Sequence, residues 1–113
     1  IVFQFTNAND TLQQKAFVRQ LENITEHWPN AKYEVVVYNQ GVELVMKNNT
    51  KYQARLQTLK AKGVNFVVCE NTLKNRKISK DAFPEILVGF VPAGIAEIVE
   101  KQEEGWSYIR GGF

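Results

Sequence analysis

The sequence predicts an α/β protein, a three-layer α/β/α arrangement around a largely parallel five-stranded sheet. Three observations carry that expectation. β-rich runs alternate with segments of helical period along the whole chain, which is the pattern left by βαβ crossovers. Val35-Val36-Val37 is continuously apolar, and Val64-Asn65-Phe66-Val67-Val68 nearly so, as in strands of a parallel sheet covered on both faces. The 113 residues contain no internal repeat, linker or low-complexity tract, so residues 1–113 read as one domain with room for a core.

The elements follow in order. Ile1 to Thr6 is a short β-rich run and the expected first strand. Asn7-Ala8-Asn9-Asp10 breaks it, and Asp10 with Gln13 has the spacing of a capping box. Phe17, Leu21, Ile24 and Trp28 recur at helical spacing, giving a helix over about 11–28 that Pro29 stops. Tyr33 to Tyr38 is the second strand. Asn39-Gln40-Gly41 turns the chain, and Val42 to Lys47 reads as a short helix. Tyr52, Leu56 and Leu59 mark a further helix closed by a glycine cap at Gly63.

Val64 to Cys69 is the third strand, followed by a short helix over 71–76 and a polar loop through Lys80 and Asp81. Ile86 to Val91 forms a fourth strand interrupted by Gly89. Pro92-Ala93-Gly94 leads into a helix that carries Ile95, Ile98 and Val99 on one face, ends at Gly105, and precedes a last strand over 106–110. The order of the strands in the sheet does not follow from this pattern.

Composition narrows the function classes. The chain is 44% hydrophobic and 23% charged with a formal charge of +2. It has no arginine-rich arm or basic stripe with interleaved aromatics, so nucleic acid is not an expected partner. No apolar stretch approaches the roughly 20 residues that cross a bilayer, so no membrane partner is expected. No signal peptide is visible, and a cytoplasmic location is expected. A single cysteine cannot close an internal disulfide. The one histidine, His27, reads as an exposed residue of a helix C-terminal turn, so no metal centre is expected. GxGxxG, P-loop and GxSxG patterns are all missing, and the turn after the first strand lacks glycine. No cofactor is expected.

The chemistry-bearing residue is Cys69, at the end of a β-rich run and the start of a helix. In an open α/β sheet, ligands gather outside the carboxyl ends of the strands. A thiol at a helix N-terminus also feels a field that favours thiolate. The same rim should collect Asn7, Asn39 with Gln40, Asn71 with Thr72, and Pro92 with Gly94. Carboxamides donate and accept hydrogen bonds without carrying charge. Asn7, Asn39 and Asn71 are therefore candidate substrate-binding residues, although Asn7 and Asn39 equally suit helix caps and turns. Lys74 and Arg76 would lower the thiol pKa if their heads reach it, and Glu70 would raise it. Cys69 itself is equally consistent with plain packing, since cysteine is among the most buried residue types.

The run Val67-Val68-Cys69-Glu70-Asn71-Thr72-Leu73-Lys74-Asn75-Arg76 resembles the DsrE/DsrF-like family of small sulfur-relay proteins. The resemblance extends through Ile1 to Thr6, Gly41-Val42-Glu43-Leu44, Lys62-Gly63-Val64, Val91-Pro92-Ala93-Gly94-Ile95-Ala96-Glu97 and Gln102 to Ile109. It implies a DsrE-like three-layer fold in a compact single-domain member and a homo-oligomer, trimer or hexamer. It also implies a cysteine at the position of Cys69 that carries sulfur as a persulfide, with Arg76 a matching basic neighbour and sulfur donor and acceptor proteins as partners. Relay subunits tend to have small residues after the cysteine, and Glu70 departs from that. Two functions follow as expectations: a cysteine-dependent sulfur carrier or sulfurtransferase acting through Cys69, or a non-catalytic oligomeric binding module with a structural Cys69 and an amide-rich ligand rim.

Overall fold

In the computed structural model, covering residues 1–113, five strands form one parallel sheet. They are β1 (Val2–Phe5), β2 (Tyr33–Val37), β3 (Val64–Cys69), β4 (Val88–Val91) and β5 (Tyr108–Arg110), in the order β4-β3-β2-β1-β5. The helices are α1 (Thr11–His27), α2 (Gln53–Ala61), α3 (Glu70–Arg76) and α4 (Gly94–Glu103), with 3₁₀ segments at Asn39–Val45 and Lys80–Ala82. The first four strands step one way across the sheet. The chain then returns through α4 to lay β5 beside β1.

That return divides the two faces unequally. Phe3, Phe5, Val35, Val37, Phe66 and Val68 point to one side and bury against α1 and α2 through Phe17, Val18, Leu21, Leu56 and Leu59. Phe5 and Phe17 stack with ring centroids 4.5 Å apart, and Phe3 tilts against the same ring at 5.8 Å. Such aromatic pairs add about 0.5–1.5 kcal/mol each beyond area burial. On the opposite side the buried apolar cluster is only Val2, Val36 and Ile98. There α4 lies alone over β1 and β2, while Asn65 of the interior strand β3 and Gly89 of β4 are exposed.

α1 begins where Asp10 accepts a hydrogen bond from the Leu12 N–H at 2.8 Å. Its end is closed by the Trp28 N–H on the Ile24 carbonyl and by the Tyr33 hydroxyl, 2.6 Å from the Trp28 carbonyl. His27 is exposed, with its ring edge-on to Trp28.

Several expectations need correction. Gln13 does not complete a capping box: its amide reaches the far end of the chain, donating to the Phe113 carbonyl and accepting from the Phe113 N–H. The segment after β2 is 3₁₀ over Asn39–Val45, because Asn39 at φ +50 starts the turn directly on leaving the strand. β4 begins at Val88, since the Pro84 carbonyl holds Leu87 in a turn and Ile86 faces solvent. On α4 the expected apolar face divides: Ile98 is buried, whereas Ile95 is 65% and Val99 49% exposed. β5 is trimmed to Tyr108–Arg110.

Candidate active site

The carboxyl rim converges on Cys69. β3 ends at this residue and α3 starts at the next one, so Cys69 occupies the N-cap position with extended backbone, φ −73 and ψ 116. β4 lies alongside, pairing Val91 with Cys69. The chain then turns through Pro92 and Ala93 into α4, and the Pro92 carbonyl accepts the Asn71 N–H at 3.3 Å. Two helix N-termini therefore meet at one sulfur atom, where unsatisfied N–H groups and helix dipoles both favour negative charge.

The Gly94 N–H donates to the Cys69 Sγ at 3.2 Å. Only glycine fits there comfortably, because a Cβ would come within 3.1–3.2 Å of Tyr38, Val36 and Cys69 itself. The Thr72 hydroxyl makes a second contact to the sulfur, and the Thr72 and Asn71 N–H groups add to it. The Asn39 N–H donates to the Thr72 Oγ1 at 2.9 Å. Accepting that bond leaves the hydroxyl's own proton available to the Cys69 sulfur. Burial pushes the thiol pKa up, but the Gly94, Thr72 and Asn71 donors outweigh it and hold the pKa below the ordinary thiol value.

Cys69 is only 5% exposed, yet it lines a cleft of about 170 Å³. Asn39, Asn71 and Asn75 supply amides to that cleft, and Tyr38 and Ile95 supply apolar surface. No charged side chain lines it. Wider hollows of about 330–360 Å³ elsewhere on the surface contain no cysteine.

Of the residues singled out from sequence, Asn39 and Asn71 stand in the cleft with Cys69. Asn7 is exposed outside it, as is Lys74. Arg76 also lies outside: its guanidinium donates to the Asn39 carbonyl at 3.0 Å and sits 4.0 Å from the Glu43 carboxylate. Glu70 is drawn off by Lys80, 2.6 Å away. The depression of the thiol pKa thus rests on uncharged donors rather than on Lys74 or Arg76. Thr72 and Gly94 are the site residues that sequence reasoning placed on the rim without a role. A threonine three residues after a cysteine, in the first turn of a helix, was the available signal.

No helix is long and apolar enough to cross a membrane. No curated protein matches the sequence. Among solved structures, a protein of unknown function from Methanobacterium thermoautotrophicum, MTH1491, is similar over 96% of both chains, with 30% identity and a TM-score of 0.88. A conserved protein of unknown function from Bacteroides thetaiotaomicron, BT1422, shares the fold at 15% identity and a TM-score of 0.75, covering 96% of this chain and 91% of its own. The family model of the DsrE/DsrF-like proteins matches residues 1–110. On that match and on the shared architecture, the chain belongs to the DsrE/DsrF-like family.

Proposed function

We propose that this protein is a sulfur carrier that relays a sulfur atom through Cys69. The observation that supports the reading most is a thiol at the carboxyl rim, lining a cleft and held by the Gly94 N–H and Thr72 hydroxyl. The Cys69 thiolate attacks the outer sulfur of a donor persulfide. A bond forms between the Cys69 Sγ and that sulfur while the donor's S–S bond breaks, and its electron pair leaves on the donor thiolate. An acceptor thiolate then attacks the outer sulfur of the Cys69 persulfide and restores the Cys69 thiolate, with no net oxidation. Asn39 and Asn71 stand where they can hydrogen-bond the terminal sulfur. Family membership agrees with this reading, since the DsrE/DsrF-like family is generally linked to sulfur relay.

The test is mass spectrometry of the intact protein after incubation with polysulfide. The expected result is a gain of one sulfur atom that is removed by excess thiol. No gain, or a gain that persists in Cys69→Ser, overturns the reading.

The slight exposure of Cys69 favours a second reading, a binding module in which the thiol only packs and the amide-rich rim holds a ligand. A thiol that alkylates only after unfolding would select it. We also propose a homo-oligomer, trimer or hexamer, in the cytoplasm. Parallel sheets are ordinarily covered on both faces, and here the α4 side leaves Asn65, Gly89, Ile95 and Val99 exposed. Light scattering at micromolar concentration tests this, and a monomer would refute it.

A further inference from the structure

Three polar side chains lie on one diagonal of the α4 side of the sheet, and the sulfur chemistry does not use them. Gln4 of β1 stands opposite Val36 of β2 and Arg110 of β5. Tyr38 is two residues beyond Val36 and Tyr108 two short of Arg110, so all three share the face on which Val36 packs. Long side chains at such diagonal positions reach one another. The Gln4 amide nitrogen donates to the Tyr38 hydroxyl, and the Gln4 side-chain oxygen accepts from the Tyr108 hydroxyl. Both ends of the amide are therefore engaged. The chain of bonds runs from the sheet edge at β5, across β1, to Tyr38 beside the Cys69 cleft.

Tyr38 in turn bears on the residue that holds the thiol. Gly94 is seated among three groups: a Cβ there would lie 3.1 Å from the Tyr38 ring, 3.2 Å from a Val36 methyl and 3.2 Å from the Cys69 Cβ. Val36 and Cys69 belong to paired strands and are fixed by the ladder. Tyr38 is different, because it follows the last residue of β2 and is only half-buried at the rim. A tyrosine so placed can change rotamer unless its far end is tied. Gln4 and Tyr108 supply the tie, while the small cluster of Val2, Val36 and Ile98 packs against the ring. Ile95, the next residue of α4, is 65% exposed and gives the turn no purchase of its own.

We propose that Tyr38 is a positioning residue for Cys69: its ring, anchored from β1 and β5 through Gln4 and Tyr108, is the stop against which the first turn of α4 rests, and it thereby sets the Gly94 N–H at the sulfur. That N–H lies 3.2 Å from the Cys69 Sγ, and a hydrogen bond weakens steeply as its donor is misaligned. When the ring swings away, Gly94 settles into the space it leaves, and the N–H draws off the sulfur. The thiolate then loses one of the donors that oppose its burial. Tyr38 acts here through Gly94 alone, since its hydroxyl is tied to Gln4 and not to the sulfur. The consequence for sulfur transfer rests on the relay reading, whereas the positioning itself does not.

The test is the pH midpoint of Cys69 alkylation by iodoacetamide in the native protein, with a urea melt to confirm folding. The plateau rate reports access through the cleft that Tyr38 lines, whereas the midpoint reports thiol acidity, so the two effects separate. Tyr38→Leu removes both ring and tie and should raise the midpoint by about 1 unit, the lower end of what losing one hydrogen bond to a charged group produces. Tyr38→Phe keeps the ring and cuts the tie, and should raise the midpoint by less. Tyr108→Phe, a change at an exposed strand position, should act in the same direction and decides the matter with Tyr38→Phe if the leucine variant fails to fold. A folded Tyr38→Leu protein with the wild-type midpoint overturns the proposal, even if its melt shows lost stability, and so do wild-type midpoints in both phenylalanine variants. Polysulfide uptake measured in parallel tells the two failures apart. A wild type that takes up no sulfur, with the midpoint still shifted in Tyr38→Leu, would sink the relay and leave the positioning role standing.

Discussion

Thr72→Val is the most informative single change, because it removes one hydroxyl and nearly preserves shape. The hydroxyl does two things: it donates to the Cys69 sulfur and accepts the Asn39 N–H at 2.9 Å. A hydrogen bond to a charged group is worth about 1.5–3 kcal/mol, and one pKa unit corresponds to about 1.36 kcal/mol. Losing the bond should therefore raise the thiol pKa by about 1–2 units. The direction fixes the linkage. Because the folded thiol pKa lies below its ordinary value, Cys69 contributes stability that is present above the unfolded pKa and lost as pH falls through the folded pKa. Thr72→Val should flatten that dependence.

Removing the hydroxyl also strands the Asn39 N–H in a part-buried turn, at a further cost of about 1–3 kcal/mol in stability. Thr72→Ser keeps the hydroxyl and should return both properties toward wild type. The assay is the rate of Cys69 alkylation against pH, alongside a urea melt to confirm folding. A folded Thr72→Val protein with the wild-type midpoint would refute the idea that this hydroxyl holds the thiolate.

Other changes test separate parts of the structure. Arg76→Ala should leave the alkylation midpoint where it is and cost at most about 1 kcal/mol, because the guanidinium serves the Asn39 carbonyl and Glu43 at the surface. A midpoint shifted up by a full unit would restore the direct electrostatic role that Arg76 had on sequence grounds. Gly41→Ala should be severely destabilising, since a Cβ there would overlap the Phe5 carbonyl. Backbone cannot yield as a side chain can, so failure to fold is the expected outcome and wild-type melting would contradict the packing described. Tyr52→Phe should raise stability by about 1 kcal/mol, because the Tyr52 hydroxyl is buried without a hydrogen-bond partner. Glu34 sets a pH trend in global stability: its pKa rises from 4.5 to about 7 on folding. The stabilisation it gives is full below the lower value and lost through the higher one, up to about 3 kcal/mol, and Glu34→Gln should abolish that loss in melts from pH 5 to pH 8.

The fold class was legible because the heavily packed side of the sheet writes itself into the chain. Val35 and Val37, with Phe66 and Val68, face α1 and α2, and α1 shows its buried stripe through Phe17, Val18 and Leu21. The α4 side was not legible, since its few packed residues leave no comparable pattern. Ile95 looked like core at helical spacing but lies at the rim of the cleft, as hydrophobicity alone does not say whether anything covers a helix. Glu34 was hidden in the same way. A charged residue beside three valines signals a solvated strand end, and only the placement of Glu97 and Lys101 across the gap shows why it is buried.

The thiol environment shows the same limit in its sharpest form. Charge is conspicuous in a sequence, so Lys74, Arg76 and Glu70 drew attention as controls on Cys69. The structure assigns those charges elsewhere and leaves the work to the Thr72 hydroxyl and to backbone N–H groups, which every residue but proline possesses. What decides the chemistry is where the chain brings those groups. β1 to β4 advance across the sheet in one direction, so β5 can pair with β1 only if the last crossover returns over the face the other helices left open. That return must start beside the end of β4, whose neighbour is β3 and its terminal cysteine. The first N–H of α4 therefore arrives at the sulfur as a consequence of strand order. Strand order is the one feature of the architecture that residue periodicity does not encode, and so the cysteine could be found from the sequence while the donors that acidify it could not.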